Sequence, residues 1–167
     1  RRLNIRTQRD QYPVPNMQDL SSTLHSKSIF SKLDLRKGYH QIPLHPCDIP
    51  KTAVCTPFGL WEYITMPFGL RNAGASFQRL IDIVIAGLPF VFAYMDDIII
   101  FSENEDEHQE HLRQVFQWLE EHGLLVNPAK CLFGQKSVDF LGFVVDAEGI
   151  RPMPDNIRVI NDFPPPP

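Results

Sequence analysis

The alternation of apolar and polar positions changes period several times along the chain, and each change marks an element. From Arg1 to Pro15 the residues are polar, without period and interrupted by two prolines, so this stretch reads as an extended connection into a short helix around Asn16 to Leu24. Ile29 to Leu35 reads as a strand. Thr52 to Ile64 is rich in β-branched and aromatic residues and is broken by Pro57-Phe58-Gly59, the pattern of a hairpin. After Asn72, the residues Phe77, Leu80, Ile81, Val84, Ile85 and Leu88 recur at helical spacing, and Pro89 ends the helix. Ser102 with Glu105 predicts a capping box that opens a second helix, whose stripe is Leu112, Val115, Phe116 and Leu119 and whose stop is Gly123. Short strands follow around Cys131 to Phe133, Val138 to Phe140 and Phe143 to Val145, with Gly149 in a turn. Helices and strands are mixed rather than strictly alternating, which predicts an α+β fold with helices on one face of an antiparallel sheet.

One stretch breaks its own pattern. Phe90 to Phe101 is strongly apolar, yet Asp96 and Asp97 sit at its middle. A tight hairpin there places both carboxylates between buried strands, where an isolated charge costs several kcal/mol of desolvation. The bland reading is a solvated turn, since Asp is a common turn residue. Against it stands Asp34, a second lone acid inside the apolar run Phe30 to Leu35. Three carboxylates on neighbouring strands supply oxygen ligands for two hard cations, the preference of Mg²⁺ and the arrangement of two-metal phosphoryl transfer.

Charge and composition modify this picture only in part. The net charge of −4 argues against a nucleic-acid partner, but half of the 16 basic residues lie before position 41 while acids crowd between Glu103 and Glu121. One face therefore suits phosphate and another is solvated. Three cysteines without paired spacing exclude a disulfide framework and a zinc knuckle, and they predict a reduced, intracellular setting. No apolar run reaches the length of a membrane helix, so no membrane partner is expected. His108 and His111, three apart on the acidic helix, could hold a metal with Glu107, but a solvated face explains them as well. Trp61 and Trp118 read as core or partner-facing residues, and the prolines at 164–167 as a linker. A chain that opens at Arg1 without methionine and closes in four prolines reads as a piece of something longer.

Leu33-Asp34-Leu35-Arg36-Lys37-Gly38-Tyr39-His40-Gln41, Met66-Pro67-Phe68-Gly69-Leu70, Phe77-Gln78, Tyr94-Met95-Asp96-Asp97 and Asp139-Phe140-Leu141-Gly142-Phe143, with Glu148-Gly149-Ile150 beyond, occur in an order that resembles the motifs of reverse transcriptases. The wording is nearest to Gypsy-type long-terminal-repeat retrotransposons. The resemblance implies a right-hand polymerase palm on a ferredoxin-like antiparallel sheet with packed helices, partial fingers and the start of a thumb. It divides the chain into fingers and connections at 1–28 and 41–72, palm at 29–40 and 73–145, and primer-grip exit and thumb start at 146–167. It implies RNA- and DNA-directed DNA polymerase activity with two Mg²⁺ ions, replaceable by Mn²⁺, on Asp34, Asp96 and Asp97. Tyr39, Phe68, Gly69 and Lys130 are implied to meet the incoming deoxynucleoside triphosphate, with Tyr39 under the sugar. Leu70, Arg71, Gln78, Tyr94, Met95, Phe140, Leu141 and Gly142 are implied to meet RNA or DNA template and primer. The implied partners are the remaining Pol polyprotein segments, protease, ribonuclease H and integrase, and the implied location is cytoplasmic, in a virus-like particle. Gly74 departs from the proline that the family usually carries there.

Two other functions fit parts of the pattern. A nucleotidyl cyclase or another palm-like phosphoryl transferase also hangs carboxylates on a hairpin, but it leaves Met66 to Gly69 and Phe140 to Gly142 unused. A non-catalytic, degraded or host-adopted remnant of such an element would keep the fold and lose the chemistry.

Overall fold

A computed structural model describes residues 2–154; the expected thumb start beyond 154, the closing prolines and Arg1 lie outside the described residues. The elements are α1 (Arg2–Arg6), α2 (Met17–Thr23), β1 (Ile29–Asp34), β2 (Val54–Thr56), β3 (Gly59–Trp61), α3 (Ala73–Val84), β4 (Val91–Tyr94), β5 (Asp97–Ser102), α4 (Glu105–Glu121), β6 (Leu132–Gln135), β7 (Ser137–Phe140), β8 (Phe143–Asp146) and β9 (Gly149–Pro152). The centre is a four-stranded antiparallel sheet in the order β4-β5-β1-β6. Its strands and helices run β1-α3-β4-β5-α4-β6 along the chain, which is the ferredoxin-like palm that the resemblance implies.

Strand alternation gives this sheet two working faces. Leu33, Leu35, Ile98 and Ile100 point to one side and pack with Phe77, Ile81 and Val84 of α3 and Val115 and Leu119 of α4. Phe30, Ile99 and Phe101 point to the other, where Val138, Phe140 and Val145 of the sheet β7-β8-β9 cover them together with Leu20 and Leu24. Large side chains such as Phe30, Phe77, Phe101 and Phe140 are fully buried, each contributing roughly 1.5–3 kcal/mol of transfer free energy. The β2–β3 hairpin stands apart with Leu60 and Trp61 exposed. Among the described residues no helix is long and apolar enough to cross a membrane.

Several boundaries differ from those the pattern predicts. The opening segment is not wholly extended: Arg2–Arg6 form a helical turn, tied by Thr7 Oγ1 donating to the Leu3 carbonyl and by contacts to residues 69 and 71 that no local period reveals. Helix α3 stops at Val84, short of Pro89, because Gly87 adopts a positive φ of 85° and turns the chain. The N-cap of α4 is Asn104, whose side chain accepts from the Glu107 amide, and not Ser102. Its C-terminus meets expectation: with Gly123 at φ 68°, the Leu124 amide reaches the Leu119 carbonyl and the Gly123 amide reaches Glu120, a Schellman stop.

Ser102 is instead buried in β5 as part of a polar network beneath α4. The two ring nitrogens of His108 meet Ser31 Oγ at 2.6 Å and Ser102 Oγ at 2.7 Å, and Ser102 Oγ also meets His111 Nδ1 at 2.8 Å. His111 stacks on Phe90 with ring centroids 3.5 Å apart. These histidines therefore face inward, which corrects the solvated-face reading, and among the described residues no three His, Cys, Asp or Glu groups are arranged to hold a metal. A neutral imidazole with one donor and one acceptor nitrogen satisfies both hydroxyls.

Burial holds the imidazole of His108 below its ordinary value of 6.5, and His111 is lowered for the same first cause. The unfolded chain then takes up these protons first as the pH falls. The network's contribution is complete above pH 6.5 and is lost progressively as the pH falls from there toward the depressed values. Urea unfolding at about pH 7.5 and about pH 5 should show a smaller loss of stability in His108→Gln than in the wild type; an unchanged difference would remove His108 from the titration.

Candidate active site

The turn between β4 and β5 consists of Met95 and Asp96 alone, because Tyr94 pairs with Asp97. Met95 takes φ 53°, a left-handed conformation costly for a residue with a side chain and usual for glycine at this place in a two-residue hairpin. Buried Gln78 of α3 holds it there. Its Oε1 accepts from the Met95 amide at 2.7 Å, while its Nε2 donates to the Ala93 carbonyl at 3.2 Å and to Asp82 at 2.8 Å. The helix behind the sheet thus fixes the turn in front of it.

On β1, Asp34 lies directly opposite Asp97 of β5, so the two side chains leave the same face. Asp96 continues the row, its carbonyl accepting from the Leu35 amide at 3.3 Å. The carboxylates themselves turn to different cations: Asp34 meets Lys130 Nζ at 3.4 Å and Asp97 meets Lys32 Nζ at 3.1 Å, while Asp96 is exposed. The backbone brings the three residues to one end of the sheet, while the side chains of Asp34 and Asp97 are each engaged with a lysine. The chemistry of the donor set fits hard divalent cations: the oxygens are partly accessible, and the lysine ammoniums already mark where positive charge is wanted.

A cavity of about 430 Å³ opens at this end of the sheet, lined by Asp34, Gly38, Tyr39, Phe68, Asp96 and Lys130 among others. Gly38 permits the approach of the two loops, since a Cβ there would lie 3.3 Å from Asp96 Cβ. The loop that carries it is anchored from behind: Gln41 Nε2 donates to the Arg36 and Leu125 carbonyls and Gln41 Oε1 accepts from the Leu125 amide at 2.6 Å. The Tyr39 ring packs edge-on against Phe68 and Phe77, at 5.4 Å each. Burial, and then the charge of Asp96, push its phenol above the usual 10, and its hydroxyl donates a hydrogen bond to Met95 Sδ at 3.5 Å. Lys32 also reaches the Asp139 carbonyl at 3.3 Å, joining the carboxylate row to the β7–β8 hairpin. In that hairpin Leu141 and Gly142 both take positive φ, 50° and 81°, as a type I′ turn requires.

Not every residue assigned by resemblance faces this site. Gln78 and Phe140 are wholly buried, so neither offers a surface to template or primer; they act from behind, Gln78 on the turn and Phe140 as an anchor for its hairpin. Tyr94 and Leu141 pack partly against the second core. Gly69 and Arg71 serve the opening segment, the Gly69 carbonyl accepting from Asn4 and Arg71 donating to the Asn4 and Thr7 carbonyls, while Leu70 packs on the first core. Gly38, Gln41, Lys32 and Gly74 are contributors that sequence reasoning left without a role. Gly38 and Gln41 stood inside a quoted motif and Gly74 showed as a departure from the family's proline, but the signal for Lys32 is spatial only.

Residues 1–145 match the family described as reverse transcriptase (RNA-dependent DNA polymerase). The Pol polyprotein of transposon opus from Drosophila melanogaster is 42% identical over 99% of this chain, and that of transposon gypsy from the same organism is 38% identical over 99%. The chain spans only 17% and 16% of the length of these two relatives. Among solved structures, the foamy viral protease-reverse transcriptase with double-stranded DNA is alike in fold, with TM-score 0.88 over 98% of this chain and 29% of that one at 23% identity. The native prototype foamy virus enzyme aligns over 84% of this chain and 19% of its own, with TM-score 0.69 and 27% identity. The chain belongs to the reverse transcriptase (RNA-dependent DNA polymerase) family, and the Pol polyproteins of Gypsy-type long-terminal-repeat retrotransposons are among the relatives it is similar to.

Proposed function

We propose that this chain carries the polymerase centre of a Pol polyprotein, extending a primer by template-directed transfer of deoxynucleotides. The single observation behind this reading is the row Asp34, Asp97 and Asp96 at the mouth of a cavity that also holds Tyr39, Phe68 and Lys130. Members of this family use divalent metal ions, and here two Mg²⁺ ions, or Mn²⁺ in their place, would be held by Asp34, Asp96 and Asp97. When bound, such ions neutralise charge on the attacking and leaving oxygens. Asp34 and Asp96 face the triphosphate side, and Asp97 braces the row through Lys32.

The remaining residues position and select. Lys130 lines the cavity, and its ammonium, now on Asp34, is free to meet an anionic triphosphate once that carboxylate has another cation. Phe68, exposed at the rim, offers an apolar edge to the sugar. The Tyr39 ring walls the cavity, and with the sugar stacked on it the ring would exclude a 2′-hydroxyl, the basis of a choice for deoxynucleotides. The Leu141–Gly142 turn, joined to Asp97 through Lys32, suits a primer end beside the carboxylates. Template and primer are duplex partners like those in the foamy virus complexes with double-stranded DNA and with an RNA/DNA hybrid.

In the complete polyprotein-derived enzyme, Asp96→Asn should lower Mg²⁺-dependent primer extension by at least roughly 100- to 1000-fold, the cost of removing one stabiliser of developing charge. Duplex affinity should hold, since it comes from many cationic contacts to phosphates. Extension and binding measured side by side decide it: near-normal extension sinks the assignment. Tyr39→Ala should admit ribonucleotides more readily, read as the ratio of kcat/KM for matched deoxy- and ribonucleotides, and an unmoved ratio would place the gate elsewhere.

A further inference from the structure

Gly74 lies in the first turn of α3 with a helical backbone that suits any residue, so its lack of a side chain answers to space and not to φ. A Cβ there would stand 3.3 Å from the Met95 methyl, 4.0 Å from its sulfur and 3.9 Å from the Tyr39 hydroxyl. Met95 therefore folds its tip onto the bare helix and, from that seat, accepts the Tyr39 hydroxyl on its sulfur. Gly74 and Met95 also line a separate cavity of about 410 Å³ with Arg9, Asp10, Tyr12 and Arg71. The Met95 side chain thus lines that second cavity while its sulfur meets the hydroxyl of Tyr39, whose ring walls the first.

We propose that Gly74 is a specificity-determining position: its missing side chain seats Met95, and the seated Met95 holds the Tyr39 ring where it discriminates between sugars. The proposal deepens the polymerase reading and rests on it for the identity of the ligand. Its physics is local. Backbone restraint from Gln78 fixes the Met95 main chain, so only the flexible thioether can move when the helix surface changes. A β-carbon at 74 pushes the methyl off its seat by a few tenths of an ångström, which lengthens and weakens the 3.5 Å hydroxyl–sulfur contact and leaves the ring to its packing against Phe68, Phe77 and the first core. The ring then yields to a 2′-hydroxyl. Gly74 touches no ligand and acts through Met95 and Tyr39, so it is a positioning residue.

The test is a double-mutant cycle in the complete enzyme with Gly74→Ala, Met95→Ala and the pair. Two quantities are read: the deoxy- over ribonucleotide ratio in single-nucleotide addition, and the same ratio in equilibrium binding to template with a chain-terminated primer. Gly74→Ala should lower both ratios by roughly tenfold, the low end for one methyl group in a packed pocket. In the Met95→Ala background it should change neither, because the element it displaces is gone. Methyl NMR of the four methionines reports folding independently, and the Met95 resonance should shift in Gly74→Ala. A shifted Met95 resonance with unchanged ratios overturns the proposal, and so does an equal effect of Gly74→Ala in both backgrounds. If no nucleotide is added by any variant, the polymerase reading fails, while the binding ratio still judges Gly74.

Discussion

Asp34 and Asp97 face each other across adjacent antiparallel strands, and Asp96 follows in the turn, so like charges are forced together at the end of a sheet. Carboxylates placed directly opposite repel and destabilise the pair that carries them. The surroundings are arranged to supply positive charge: Lys130 on Asp34, and Lys32 on Asp97. Each lysine also ties a distant part of the chain to the row. Lys32 reaches the β7–β8 hairpin, and Lys130 closes the 3₁₀ turn entered from Asn127, whose amide binds the Asp34 carbonyl at 2.8 Å. The electrostatic problem at the sheet end and the assembly of the cavity are thus solved by the same contacts.

The opposite side of the sheet makes this arrangement rigid. Helix α3 is used twice, through apolar Phe77, Ile81 and Val84 in the core and through Gln78, whose amide reaches past the core to the turn. Its first turn is pinned from outside as well, since Asn72 donates to the Gln8 carbonyl and accepts from the Asp10 amide, and Arg79 pairs with Asp10 at 2.8 Å. The opening segment therefore works as a strap across the helix that positions the hairpin.

What the sequence disclosed follows from which signals are local. Period, glycine and proline marked the helices, the hairpins and the Schellman stop, since these depend on neighbours three or four residues away. The carboxylate row was legible because acids inside apolar strands contradict their surroundings, and the ordered motifs named the family that the comparison of whole chains bears out. The rest depended on contacts distant in sequence. His108 sits on a helix that reads as acidic and solvated, but its ring meets Ser31, 77 positions away, so the composition of the helix concealed a buried network. Gln78 and Phe140 belonged to motifs and were assigned to the nucleic acid, yet burial puts them behind the surface. Gly74 showed only as a departure from family wording, and its meaning is the space left for a methyl from a residue on the next hairpin.

The two-residue link between Tyr94 and Asp97 sets a rule about length. Because β5 is also paired along its length with β1, an inserted or deleted residue in that link must either distort the tip, pulling Met95 from Gln78 and Asp96 from the row, or slip β5 by one position and turn Asp97 toward α3. A substitution in the turn alters one side chain; a change of length alters the placement of the whole tip. At the tip of this hairpin a changed residue is therefore tolerated far better than a changed residue count. A chain with a different residue count there would keep all three aspartates in its sequence and lose their alignment at the tip.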